Sequence, residues 1–241
     1  MSSTTATRPV ADRVDSLDWD ELAAQLGARG FAVTSPVLSR SECRELAGLF
    51  DGEGFRSTID MARHRFGEGR YRYFAHPLPE PIQEARVALY VRLAAVANAW
   101  SQRLPGDTPT FPSTHAELLE RCRAARQQRP TPLLLRYHEG DWNALHQDLY
   151  GEVYFPFQAV TVLSDPAEYE GGEFVLMEQR PRAQSRAHVI RPRQGAFVIF
   201  PTRERPNAGK NGYHRVGLRH GVSTVTAGER VALGIIFHDA R

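Results

Sequence analysis

The apolar positions of this chain change their period part-way along it. In the first half, Leu17, Trp19, Leu22 and Leu26 recur at roughly helical spacing behind Ser16, a candidate N-cap. Gly30 is placed to end that helix before the short apolar run Phe31-Ala32-Val33. A second helix is expected after Ser39, where Ser41, Glu42 and Glu45 suit a helix start and Leu46, Leu49 and Phe50 form the stripe to be buried. A longer, alanine-rich one spans Glu80 to Leu104, and His115 to Gln128 reads as another, closed by Arg129-Pro130. After Pro132 the runs shorten and become rich in β-branched and aromatic residues: LLLRYH, YFPFQAVTVLS, GEFVLM, AHVIR, GAFVIFP, GVSTV and RVALGIIF, punctuated by Gly, Pro and Asp. The expected organisation is a disordered polar tail over 1–15, a mainly helical region over 16–130 and a β core over 131–241. Helices and core are expected to form one compact α+β unit.

Composition narrows the picture without naming a function. Hydrophobic residues make up 41% and charged residues 24%, ordinary for a globular chain, which excludes wholesale disorder and fibrous architectures. The 30 Lys and Arg against 28 Asp and Glu leave +2, too little for a field that makes nucleic acid the default partner. Lys210 is the single lysine, so the cationic side chains are otherwise arginines. Cys43 and Cys122 are far apart and lack CxxC spacing, which indicates neither a disulfide framework nor a zinc site. The N-terminus MSSTTATRPVADR lacks the apolar run of a signal peptide, and no stretch reaches the roughly 20 apolar residues of a membrane span. A soluble, cytoplasmic protein without membrane partners is expected.

The chemistry concentrates in the β half. In His146-Gln147-Asp148 the first and third side chains point to one side of a strand or its end, because side chains alternate with period two, so both can face one metal. A third ligand must come from elsewhere. Two histidines and one carboxylate leave open coordination positions for an oxoacid and O2, the geometry of Fe(II) oxygenases. Downstream, His220-Gly-Val-Ser-Thr-Val-Thr-Ala-Gly-Glu-Arg230 closes a strand, turns at Ala227-Gly228 and starts another, so a hairpin carries Arg230 back beside the histidine. An arginine offers a bidentate fork for a carboxylate while a metal binds the other end of the same molecule, and a keto-diacid fits that pair.

Here the sequence resembles the Fe(II)- and 2-oxoglutarate-dependent dioxygenases, in particular their prolyl-4-hydroxylase-like branch. Over residues 131–239 the matching pieces are Arg136-Tyr137, His146-x-Asp148, Leu163-Ser164-Asp165, Gly171-Gly172-Glu173-Phe174, Gly195-Ala196-Phe197-Val198-Ile199-Phe200 and His220 to Arg230. Their joint order and spacing carry the resemblance. It implies a double-stranded β-helix (jelly-roll) core with the N-terminal helical region packed against it, and iron at its mouth. It further implies His146, Asp148 and His220 as iron ligands and Arg230 as the anchor for the distal carboxylate of 2-oxoglutarate. Tyr137, nine residues before His146, stands where family members often place a tyrosine touching the cosubstrate; a strand aromatic that only packs is the other reading. The implied cofactors are Fe(II), 2-oxoglutarate and O2, with ascorbate as a candidate reductant. The implied reaction is hydroxylation with release of succinate and CO2.

His214, six residues before His220, is the rival for the third ligand. The ten-residue step from His220 to Arg230 matches the family, whereas ten residues after His214 stands Thr224, which cannot clamp a carboxylate. His64, His76, His115, His138, His188 and His238 lack ligand-like partners, and Glu173 is given no catalytic role. The run PTRERPNAGKNG between Phe200 and Tyr213 reads as a loop, either a lid or a solvated connector. RHRFGEGRYRYF, within Arg56 to Phe74, interleaves arginines and aromatics, suiting either a flat, anionic substrate or packing of the helical region on the core. A metal- and oxoacid-binding sensor without turnover would release no succinate, and a cupin-type hydrolase or isomerase would need neither O2 nor Arg230. The substrate class left open is a small molecule or a protein side chain, and oligomeric state is not fixed by the sequence.

Overall fold

The computed structural model describes residues 8–104, 106, 108–148, 151–180, 182–210 and 212–241. Helix α1 (Val10–Asp15) occupies residues expected in the disordered tail, so that expectation is corrected from Val10 onward; residues 1–7 lie outside the described residues. Val10 and Val14 are buried, and the Glu84 carboxylate accepts from the Val10 and Ala11 amides at 2.7 and 3.3 Å. That docking supplies partners for two N-terminal donors and sustains a helix too short to persist alone. Helix α2 (Trp19–Arg29) is capped by Asp18 rather than Ser16, its side chain accepting from the Glu21 amide at 3.0 Å, and ends at Gly30 with φ +81°.

After strand β1 (Ala32–Pro36), helix α3 (Arg40–Gly48) opens with a capping box between Ser39 and Glu42, and Glu42 also pairs with Arg13 at 2.5 Å, tying α1 to α3. Strands β2 (Phe55–Asp60), β3 (Gly67–Glu68) and β4 (Arg70–Phe74) interrupt the region expected to be mainly helical. Helix α4 (Glu80–Arg103) matches the expected long helix. Helix α5 (His115–Ala124) stops before Gln128 because Arg126 turns at φ +60° and the Gln127 amide donates inward to the Val153 and Asp239 carbonyls at 2.8 and 2.6 Å.

The remaining strands are β5 (Leu133–His138), β6 (Trp142–His146), β7 (Phe157–Val162), β8 (Tyr169–Gly171), β9 (Phe174–Gln179), β10 (Arg186–Ile190), β11 (Ala196–Pro201), β12 (Glu204–Gly209), β13 (Gly212–Val222) and β14 (Val225–Ile236). The larger sheet runs β1-β11-β7-β14-β5-β4-β2 with β8 added to β14, and the smaller runs β10-β9-β13-β6-β3 with β12 added to β13. All pairings are antiparallel, and the two sheets form a double-stranded β-helix. On the larger sheet, Phe157, Ala159, Phe197, Ile199, Leu233 and Ile235 join the helices in one apolar core, while Val160, Val198 and Phe200 point between the sheets. Both faces are therefore covered, which is why β11 reads as the unbroken apolar run AFVIFP.

The run read as a loop between Phe200 and Tyr213 contains β12 and the start of β13, paired as a hairpin; residue 211 lies outside the described residues. Arg205 is buried within it, 2.7 Å from Glu178, and donates to the Gly27 carbonyl, so this arm is fastened to α2 and is neither lid nor free connector. No helix of the described residues is long and apolar enough to cross a membrane.

Helices α4 and α5 meet the end of β14 in a buried polar cluster. His115 Nε2 lies 2.8 Å from the Phe237 carbonyl, His238 Nδ1 accepts from the Phe155 amide at 3.1 Å, and both rings are buried. Burial first, then the Arg86 charge, pushes each imidazole down to about 4. Unfolded histidines titrate near 6.5, so between pH 6.5 and 4 the unfolded chain binds more protons and stability falls as the pH is lowered through that window. The expected loss is on the order of 3 kcal/mol per histidine by pH 4. Urea midpoints measured from pH 7 to pH 4 should fall steadily, and a flat profile would count against this assignment.

Candidate functional site

Three side chains converge where β6 meets β13. His146 ends β6, Asp148 follows two residues later, and His220 stands directly opposite His146 in the β6–β13 ladder. The Asp148 carboxylate lies 3.5 Å from His146 Nε2 and 3.3 Å from His220 Nε2, and the imidazole centroids are 4.2 Å apart. One potential ligand atom from each residue lies within 4.8 Å of the others, and among the described residues this is the one such His, Cys, Asp and Glu grouping. His146 Nδ1 sits 2.8 Å from the Ala144 carbonyl, which places its proton there and leaves the Nε2 lone pair facing the cluster.

Burial pushes the Asp148 carboxyl up, but the hydrogen bonds and charges of the two imidazoles outweigh it and hold the group well below the usual carboxylate range. Burial lowers His146 while Asp148 raises it to a net upward shift; burial keeps His220 below its ordinary value. An ionised carboxylate between two imidazoles, at the lip of a cavity, is a donor set that fits a divalent transition metal with open positions.

That cavity, about 370 Å3, lies between the sheets. Arg230 heads the inward-facing set Arg230, Ala232, Gly234 and Ile236 of β14 and is paired with Tyr137 of β5. It is 1% exposed, and its Nε has no hydrogen-bond partner. Burial lowers its pKa, offset chiefly by the phenols of Tyr137 and Tyr169 rather than by a carboxylate. A buried guanidinium so placed is suited to an incoming carboxylate. Tyr137 is fully buried, its hydroxyl accepts from Asn143 at 3.3 Å, and its ring centroid lies 5.7 Å from Arg230 Cζ.

The other expectations sort by position. His214 shares the His220 side of β13 but stands six residues back, roughly 20 Å along a strand, and contacts Asn207. Glu173 is engaged by Ser223 and Arg191 and does not line the cavity. His64 stacks on Phe66, His138 faces Glu229 and His188 packs on Phe31.

Some cavity residues were read from the sequence only as part of the run RHRFGEGRYRYF, and others not at all. Tyr71 and Tyr73 reach it from β4, and their alternation within RYRYF was the available signal. Asn143 lies beside His146 on β6. Gln158, 5% exposed and with no partner for Nε2, is the one amide in the apolar run FQAVTV, a polar residue at an inward position. Arg65 and the half-exposed Phe66 stand at the opening.

A double-stranded β-helix with this wall defines the class: the chain has the fold of the prolyl-4-hydroxylase-like 2-oxoglutarate Fe(II) oxygenases. A Pseudomonas putida prolyl-4-hydroxylase matches it with TM-score 0.55 and 16% identity over 92% of this chain and 99% of that one. A Trichoplax adhaerens prolyl hydroxylase, solved with a hypoxia inducible factor peptide, matches with TM-score 0.55 and 15% identity over 98% and 94%. The non-heme alpha ketoglutarate dependent epimerase SnoN of nogalamycin biosynthesis matches with TM-score 0.51 and 15% identity over 90% and 80%. At these identities the likeness establishes the fold.

The family is given by sequence. Residues 69–240 match the Oxygenase-NA family, described as an oxygenase catalysing oxidative methylation of damaged DNA, and the chain belongs to that family of oxidoreductases. An uncharacterized protein of Mycobacterium tuberculosis is 48% identical over 168 residues, covering 69% of this chain and 72% of that protein.

Proposed function

We propose that the chain is an Fe(II)- and 2-oxoglutarate-dependent dioxygenase that hydroxylates an organic substrate and releases succinate and CO2. The observation that carries this reading is one cavity walled by both the His146, Asp148 and His220 cluster and the buried Arg230, whose Nε has no hydrogen-bond partner. His146, Asp148 and His220 would hold Fe(II), and Arg230 beside Tyr137 would take the distal carboxylate of the oxoacid. Bound iron supplies the coupling of O2 to oxidative decarboxylation of the oxoacid and hydroxylation of a substrate C–H bond. The residues around it do the positioning. Ala144 holds the His146 tautomer, Phe174 and Phe200 shield the His220 ring at centroid distances of 5.9 and 4.8 Å, and Tyr71 and Tyr73 shape the wall contributed by β4.

For the substrate, the description of the family supports damaged DNA. Arg65 and Phe66 at the opening, with His64 stacked on Phe66 at 5.4 Å, support a flat, anionic substrate of that kind. The weak net charge of +2 supplies little long-range attraction, so recognition would be local.

The test is an anaerobic titration of the Fe(II)-loaded protein with 2-oxoglutarate. A metal-to-ligand charge-transfer absorption band is expected, and Arg230→Ala should raise the half-saturating concentration roughly a hundredfold by stranding the carboxylate. An iron-loaded protein that gives no band at millimolar oxoacid would overturn the reading. In air, damaged DNA should stimulate succinate release more than a prolyl peptide does, and the reverse order would reject DNA as substrate.

A further inference from the structure

We infer that Arg230 is aimed by a brace behind it, formed by Tyr169 and Gly172, and that these two are positioning residues for the cosubstrate carboxylate. The inference rests on the assignment of Arg230 proposed above. Arg230, together with Phe174, lies between two cavities: the one of about 370 Å3 that holds the His-Asp-His cluster, and another of about 920 Å3 on its far side. Tyr137 lines only the first, and Tyr169 and Gly172 line only the second.

Tyr169 belongs to β8, paired with Gly228 at the start of β14, and its phenol shares the lining of the second cavity with Arg230, where it offsets part of the burial cost of the guanidinium charge. Gly172 lies against the stem of the same side chain. A Cβ there would meet Arg230 Cδ at 2.7 Å, Val225 Cγ2 at 2.9 Å and Arg230 Nε at 3.4 Å, and the residue has φ +62°. The turn is itself fixed, since the Gly172 amide donates to the Thr224 carbonyl at 3.0 Å and the Glu173 amide to Ser223 Oγ at 2.8 Å.

The consequence concerns orientation. A guanidinium recognises a carboxylate through two parallel N–H bonds, so its plane must be set before the ligand arrives. Tyr169 stands behind the head, Gly172 lets the stem pass against bare backbone, and the side toward the His-Asp-His cavity is left for the oxoacid. The two glycines of the Gly171-Gly172 turn thus have different reasons. A Cβ on Gly171 would strike the Thr224 carbonyl oxygen at 2.3 Å, a constraint that does not involve Arg230, whereas one on Gly172 displaces the anchor.

The test separates oxoacid binding from metal binding in anaerobic protein. Fe(II) affinity is measured first, then 2-oxoglutarate affinity by the absorption band and by calorimetry. Tyr169→Phe is expected to weaken 2-oxoglutarate binding about threefold to tenfold with Fe(II) affinity unchanged, from loss of the polar hydroxyl behind a buried charge. Gly172→Ala should weaken it more than about tenfold. Gly140→Ala, at φ +92° with nothing within 4 Å of the added Cβ, carries backbone strain without touching Arg230 and should bind as the parent does. If Gly172→Ala does not fold, Tyr169→Phe decides. Parental 2-oxoglutarate affinity in Tyr169→Phe, or an equal loss of Fe(II) affinity, would overturn the brace. A parent protein that binds iron but no oxoacid would instead remove the dioxygenase reading and the inference with it.

Discussion

Replacing His220 with alanine is expected to abolish Fe(II) retention and to lower 2-oxoglutarate turnover on the order of a thousandfold or more. His220 is one of only three donors in the cluster, 3.3 Å from Asp148, and losing it leaves a single imidazole and a carboxylate. The ring also fills space against Phe174 and Phe200, so the variant should lose about 1–3 kcal/mol of stability and still fold. Metal analysis after desalting, beside a thermal melt, tells the two effects apart. Chelation of the parent should reproduce the inactive state, and added Fe(II) should restore activity to the parent but not to His220→Ala. His214→Ala should retain both metal and turnover, because its strand position lies roughly 20 Å from the cluster. If His214→Ala lost the iron and His220→Ala kept it, the ligand assignment would be wrong.

What the sequence disclosed follows the range of the physics involved. His146 and Asp148 were legible because the period of a strand is local. The helix start after Ser39 and the Gly30 terminus were legible for the same reason, while the Ser39–Glu42 capping box came from the structure. The hairpin expected from His220 to Arg230 is corrected: the chain crosses at Ser223-Thr224 from β13 in the smaller sheet to β14 in the larger, Ala227-Gly228 lies within β14, and Arg230 reaches the cavity from the facing sheet. Strands β2 and β4 were not, since FRSTID and RYRYF are half-exposed and arginine-bearing, and their strand character comes from pairing with each other and with distant β5. The α1 helix depends on Glu84, far along the chain. PTRERPNAGKNG carries the turn residues of a loop, yet it forms an outer hairpin whose Arg205 is matched by Glu178 on β9, with Pro206 tolerated on the edge strand β12. Tyr169 offered no local signal at all, because its significance lies in Arg230 on the neighbouring strand β14, which is far along the sequence.

The costliest single change to stability is expected at Asp239. His238-Asp239 imitates half of a histidine-carboxylate motif, but the structure places both residues in the cluster that fastens α4 to the end of β14. Arg86 of α4 is fully buried and donates to Asp239 Oδ1 at 2.8 Å, to the Ile236 carbonyl at 2.9 Å and to the Phe237 carbonyl at 3.0 Å. Its second terminal nitrogen, Nη1, has no partner, so Asp239 is the main compensation for a charge held away from water. Asp239→Ala should therefore cost about 3–5 kcal/mol, the usual penalty for stranding one member of a buried ion pair. Urea unfolding at pH 7 measures it. The double variant Arg86→Met with Asp239→Ala removes both charges and should recover most of that loss, because an apolar stem of similar length still fills the site. A loss below about 1 kcal/mol in Asp239→Ala would show that water reaches Arg86, and a double variant as unstable as the sum of the two single ones would show that packing, not charge, holds the helices to the core.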